Sequence, residues 1–269
     1  MHLLLSKGAV AAAVLTIASG FVVAQTTEDE LKKYRAMVAD GNPGELWEIK
    51  GEALFRKKLG PKDVSLEKCD FGLGPGVVKG AYARLPRYFA DVDRVMDMEA
   101  RLVHCMETQQ GLNRADVLKT KFGNLNRESA IEALASYIAA QSAHMPIDVR
   151  LDHAKEKEAY RIGEALFNRR MSKMDFACAT CHADQGKRIR LQDLYNIADR
   201  AQVQRVMATW PAYRVSHSTV RTMQHRLWDC GWQMRLPNVD FGSEWTMALH
   251  TYLSFTANGA KIDAPSLKR

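Results

Sequence analysis

Runs of alternating β-branched residues are missing from this 269-residue chain, and with them the main sign of a strand-built fold. A long apolar run is missing too. The longest candidate, Gly8 to Val23, is too short and too rich in Gly and Ala for a membrane span. No basic block interleaves with aromatic residues: the formal net charge of +7 is spread along the chain. Nucleic acid is therefore not implied, and acidic partners or anionic substrates suit the balance better. Cysteine is sparse and odd in number, at five, so at least one thiol has no partner within the chain.

What is present begins with a secretory signal over residues 1–24. Lys7 is its short basic start, Gly8 to Val23 its apolar run, and Val22-Val23-Ala24 a small-residue cleavage site before Gln25. Removal of this segment leaves about 245 residues, a charge of +6 and no membrane span, which places the mature protein in the periplasm. That length suits two domains, 25–145 and 146–269, with the linker at Ala143 to Asp152 around Pro146.

The densest chemistry lies in Cys178-Ala179-Thr180-Cys181-His182. C-x-x-C-H is the attachment motif of c-type haem: both thiols bond to the macrocycle and the adjacent His supplies the proximal iron ligand. A zinc site would need a second ligand pair at short spacing, and no other C-x-x-C or H-x-x-x-H follows.

The chain also repeats itself. Gly51-Glu52-Ala53-Leu54-Phe55 recurs as Gly163-Glu164-Ala165-Leu166-Phe167, 112 residues later, and this offset lays Leu66 on Cys178, Cys69 on Cys181 and Asp70 on His182. Further on the offset becomes 125: Leu85-Pro86-Arg87-Tyr88 meets Trp210-Pro211-Ala212-Tyr213, Met98 meets Met223, Arg101 meets Arg226 and Cys105 meets Cys230. A period of this length indicates duplicated domains. Apolar spacing predicts opening helices over 44–57 and 156–169, closing helices over 127–141 and 243–255, and middle helices marked by Val92, Val95, Met96 and Leu102 and by Val220, Met223 and Leu227. The expected fold is all-α: two tandem cytochrome c-like domains, the first having lost its haem. In each, a Gly and a Phe of the first helix would cross a Tyr of the last, Gly51 and Phe55 on Tyr137, Gly163 and Phe167 on Tyr252.

Cys69 and Cys105 are then relics of one vacated haem site, and a disulfide between them would replace the cofactor as a cross-link. Cys230 is the odd thiol, and its place in the repeat makes it a candidate distal haem ligand. Met223, Met234 and Met247 compete for that position, as do His104, His217, His225 and His250, and an inert or intermolecular Cys230 is the alternative. With Met on iron the chain would be a plain electron-transfer cytochrome. Arg226 precedes Cys230 by four residues, which on a helix sets both on one face. A guanidinium there lowers a thiol pKa and binds an oxyanion through paired hydrogen bonds. Asp229 and Arg235 flank the site without a role that spacing assigns.

Taken together, Arg226-Leu227-Trp228-Asp229-Cys230 with Gln233-Met234-Arg235, downstream of Cys178 to His182 and after a degenerate first copy, resembles the SoxA family, the larger subunits of the SoxAX cytochromes of bacterial thiosulfate oxidation. The resemblance spans nearly all of the mature chain, and Leu66 and Asp70 make it look like the single-haem type. It implies an L-cysteine S-thiosulfotransferase with one covalently attached haem c. Cys230 would be both axial ligand and catalytic thiol, carried as a persulfide, and Arg226 would bind substrate. The implied partners are a small SoxX-type cytochrome, as a heterodimer, and a SoxYZ-type carrier whose cysteine receives the thiosulfate.

Overall fold

The computed structural model describes residues 41–119, 129–189, 192–236 and 239–268; the segment read as a secretory signal lies outside them. Helix α1 (Gly44–Arg56) buries Trp47, Gly51 and Phe55 on one face. A loop carrying the buried Leu66, Cys69 and Phe71 follows, then an antiparallel hairpin of β1 (Arg87–Phe89) and β2 (Arg94–Met96). Helices α2 (Met98–Thr108), α3 (Arg114–Lys119) and α4 (Ala130–Ala140) complete the first half.

The second half runs through the same order with additions. Helix α5 (Ala154–Asn168) leads to the short α6 (Cys178–His182), a small hairpin of β3 (Arg188–Ile189) and β4 (Gln192–Asp193), and α7 (Arg200–Met207). Strands β5 (Ala212–Arg214) and β6 (Thr219–Arg221), helices α8 (Met223–Gln233) and α9 (Glu244–Thr256) and strand β7 (Ser266–Lys268) follow. β7 pairs in parallel with β5, giving a sheet ordered β6-β5-β7.

The two halves agree to the residue where the repeat predicts it. Helix α1 crosses α4 at Gly51, where an added methyl would meet the Ala133 carbonyl and the Cβ of Tyr137; α5 crosses α9 at Gly163, where it would meet the Ala248 carbonyl and the Cβ of Tyr252. Phe55 then packs on Tyr137 and Phe167 on Tyr252, each with ring centroids 5.5 Å apart. The hairpins share a register, Arg87 facing Met96 in one and Ala212 facing Arg221 in the other. Their turns share a left-handed residue as well, Asp93 at φ 51° and Ser218 at φ 50°. A side-chain cap starts the helix after each hairpin, Asp97 for α2 and Thr222 for α8.

Two expectations are corrected. The fold is not all-α: short strands stand among the helices. The residues Val92, Val95, Met96 and Val220, read as parts of middle helices, belong to the hairpins, because Asp97 and Thr222 begin those helices with extended backbone and a capping side chain. The stretch around Pro146, read as the linker, is held by hydrogen bonds along its length. The amide of Ile147 donates to the Ala260 carbonyl, that of Asp148 to the Ala83 carbonyl, and Val149 exchanges bonds with the Asn258 side chain. It is a packed strap between the halves.

A disulfide joins Cys69 and Cys105 across 36 residues. It is buried in the core of the first half with Leu66, Phe71, Leu102 and Met106. Asp70, at the position of His182 in the repeat, folds into the following turn and accepts from the amides of Gly72 and Gly74. Charged groups cross between the halves. Arg221 donates to Glu132 at 2.9 Å with both side chains within 1% of full burial. Asp97 accepts two 2.8 Å bonds from Gln224 Nε2 and one of 2.9 Å from His250 Nδ1.

Candidate haem and thiol site

Helix α6 is one turn long, and its geometry follows from two bonds. The Ala177 amide donates to Thr180 Oγ1, tying the entrance to the turn. At the exit His182 Nδ1 lies 2.8 Å from the Tyr195 carbonyl, so Nδ1 carries the proton and Nε2 is left with a free lone pair. Cys178, Cys181 and His182 are half-buried, and Cys178 packs against the second core.

Helix α8 brings the remaining groups from 48 residues away. Met223 and Leu227 point into the core, while Arg226 and Cys230 occupy successive turns of the half-buried face. Cys230 lies near His182 and Arg226, both of which act on its thiol. Burial alone would raise its thiol pKa, but the Arg226 guanidinium and His182 outweigh this and hold it below the ordinary value. Arg226 Nη1 donates to Asp229 at 2.7 Å, and Asp229 also accepts from Gln233.

This donor set fits a c-type haem. Two thiols share one turn with an imidazole whose free nitrogen is fixed by its second bond, and a sulfur donor from another element meets that imidazole. The competing ligands lie elsewhere. Met223 is a core residue, Met247 accepts the Asp97 amide through sulfur at 3.3 Å, and Met234 closes the end of α8. His250 is paired with Asp97 and His104 with Asp91; His217 accepts from Arg221 Nε; and burial, then the neighbouring arginines, push His225 down to about 3. Arg235 stacks over Trp232 on the surface.

Sequence reasoning missed a group of cations. These are Arg214 and Arg221, which line a small cavity with Trp210, Arg226, Asp229 and the imidazoles of His217 and His225. Burial, then the charge of Arg226, lower Arg214 to about 10. The repeat register carried the sign of it, because Arg214 stands on Phe89 at the offset of 125.

Known proteins agree with this architecture. A profile described as the SoxA/TsdA cytochrome c domain matches residues 50–147 and 162–262. The chain is 42% identical to the L-cysteine S-thiosulfotransferase subunit SoxA of Hydrogenophilus thermoluteolus, over 98% of its own length and 100% of the relative's. It is 33% identical to a protein of the same name from Hydrogenobacter thermophilus, over 88% and 89%. The fold also matches a chain of the crystal structure of SoxXA from P. pantotrophus at a TM-score of 0.71, with 22% identity over 88% of this chain and 84% of that one. With cytochrome c-like halves, the C-x-x-C-H turn and the late thiol assembled as described, the chain belongs to the SoxA/TsdA cytochrome c family.

Proposed function

We propose that this chain is the larger subunit of an L-cysteine S-thiosulfotransferase that joins thiosulfate oxidatively to a cysteine of a SoxYZ-type carrier. The observation that carries the reading is the meeting of Cys230 with His182, with Arg226 one turn away on the same face. The protein works in the periplasm as a heterodimer with a small SoxX-type cytochrome; among the described residues no helix is long and apolar enough to cross a membrane. Residues 25–145 form a haem-free domain and residues 146–269 the haem domain. Leu66, Asp70 and the Cys69–Cys105 disulfide stand where attachment thiol, proximal ligand and distal thiol would be.

Cys178 and Cys181 would hold a single haem c covalently, and His182 and Cys230 would supply nitrogen and sulfur donors to its iron. That haem supplies the outlet for two electrons, taken onward singly by the small cytochrome. Arg226 binds the thiosulfate anion through charge-assisted hydrogen bonds. Cys230 Sγ forms a bond to the outer sulfur of thiosulfate, losing its proton and, with the substrate, one electron pair. The carrier thiolate attacks that outer sulfur, leaves as the S-thiosulfonate and returns Cys230 as thiolate. A thiol held below its ordinary pKa is a better leaving group in this exchange.

Replacing Cys230 by Ala is expected to abolish conjugation while the intact mass still shows one haem per chain. The low-spin thiolate signature in paramagnetic resonance should vanish with it. Retained conjugation, or a thioether charge-transfer band in the wild type, would replace this reading by that of an electron carrier.

A further inference from the structure

The first half contains a relic of the Arg226 site, and the relic shows what such an arginine needs. Arg101, the counterpart of Arg226 in the repeat, is buried and paired. Its Nη1 donates to both oxygens of Asp91 at 2.7 and 3.0 Å, its Nε donates to the Asp70 carbonyl at 2.6 Å, and its guanidinium lies over the Phe89 ring at 4.2 Å. His104 Nε2 lies 3.5 Å from the same Asp91 carboxylate.

Because the hairpins share register, turn length and the left-handed turn residue, the counterparts are unambiguous. Ser216 stands where Asp91 is, Arg214 where Phe89 is, and Asp229 where His104 is. The second half has therefore lost the built-in carboxylate and exchanged the aromatic platform for a guanidinium. Asp229 restores one negative charge but reaches Arg226 from within its own helix, through Nη1. Arg214 is half-buried beside Arg226, and among the described residues no side chain forms a hydrogen bond or ion pair with it. Trp210 Nε1, on the wall of the same cavity, is buried without a partner.

We infer that Arg214 is a second substrate-binding cation, and that with Arg226 it takes the oxyanion end of the substrate at the place the Asp91 carboxylate fills in the first half. The inference rests on the functional reading above and deepens it. Position 216 must then stay free of negative charge, since a carboxylate there would be an internal competitor for the arginines.

The test uses the haem-loaded complex with its small cytochrome and thiosulfate as the probe, read by calorimetric binding and by steady-state turnover. Arg214→Phe recreates the first half, and Arg214→Gln serves if that variant does not fold. Either is expected to weaken thiosulfate binding and raise KM by about tenfold to a hundredfold, the range for one charge-assisted contact, with the haem spectrum unchanged. Ser216→Asp, at an exposed turn, should cause a comparable loss, and the neutral Ser216→Asn much less. Binding within twofold of wild type in both the Arg214 and Ser216→Asp variants would overturn the inference. A wild type that binds thiosulfate through Arg214 but turns over none would leave the anion site standing and remove the enzymatic reading instead.

Discussion

A methyl group added at Gly163 would run into the Ala248 carbonyl and stand 2.8 Å from the Cβ of Tyr252; at Gly51 the same atoms are Ala133 and Tyr137, at the same 2.8 Å. Backbone meets backbone there, so no side-chain rotation relieves the clash and the crossing helices must part. Gly163→Ala is expected to lower stability by about 3 kcal/mol or more, and Gly51→Ala by a similar amount, as read from urea midpoints. A loss below about 1 kcal/mol in either would mean that the helices can slide. These glycines were legible because each sits in a repeated pentapeptide with its Phe. Arg214 was not, since the groups around it are brought together only by folding, and only the aromatic-to-cation exchange against Phe89 hints at it.

Helices were read well where an apolar stripe ran for three turns, and poorly where a short strand preceded a helix. Val92, Val95 and Met96 fall at helical spacing, yet three-residue strands are too brief to display alternation, and the change of direction is set by the Asp97 cap. The same Asp97 illustrates a second blindness. Its partners Gln224 and His250 are 127 and 153 residues away, so no local pattern predicts the cluster that fixes the start of α2 against α8 and α9. Within that cluster, burial and then the Asp97 charge raise Glu99 from 4.5 to about 7. His250 is raised as well: burial lowers it, but the Asp97 bond and the charges of Asp97 and Glu99 together outweigh burial. Both groups thus bind more protons folded than unfolded, so stability is greatest near the ordinary carboxylate range and falls as pH rises towards 7. The urea midpoint is expected to drop between pH 5 and about 7.5, and Glu99→Gln should remove much of the slope. A midpoint that climbs over that window would contradict the assignment.

At the scale of the whole chain the duplication is the most legible feature, and its register alone pairs Cys69 with Cys105. Closing a 36-residue loop, the Cys69–Cys105 bond contributes on the order of 3 to 4 kcal/mol by restricting the unfolded chain. Peptide mapping is expected to recover it intact, and the Cys69→Ala, Cys105→Ala double variant should lose stability of that order while keeping its haem signature. A change in that signature would mean that the first half reaches the haem more directly. The Glu132–Arg221 pair, joining the halves with almost no exposure, has a consequence for the sequence. Once two charges are sealed at such a seam, discarding either partner leaves the other buried and uncompensated, at a cost of about 3 to 5 kcal/mol. Neither position can turn neutral alone, so residues 132 and 221 must change together or stay, and one half's sequence constrains the other's.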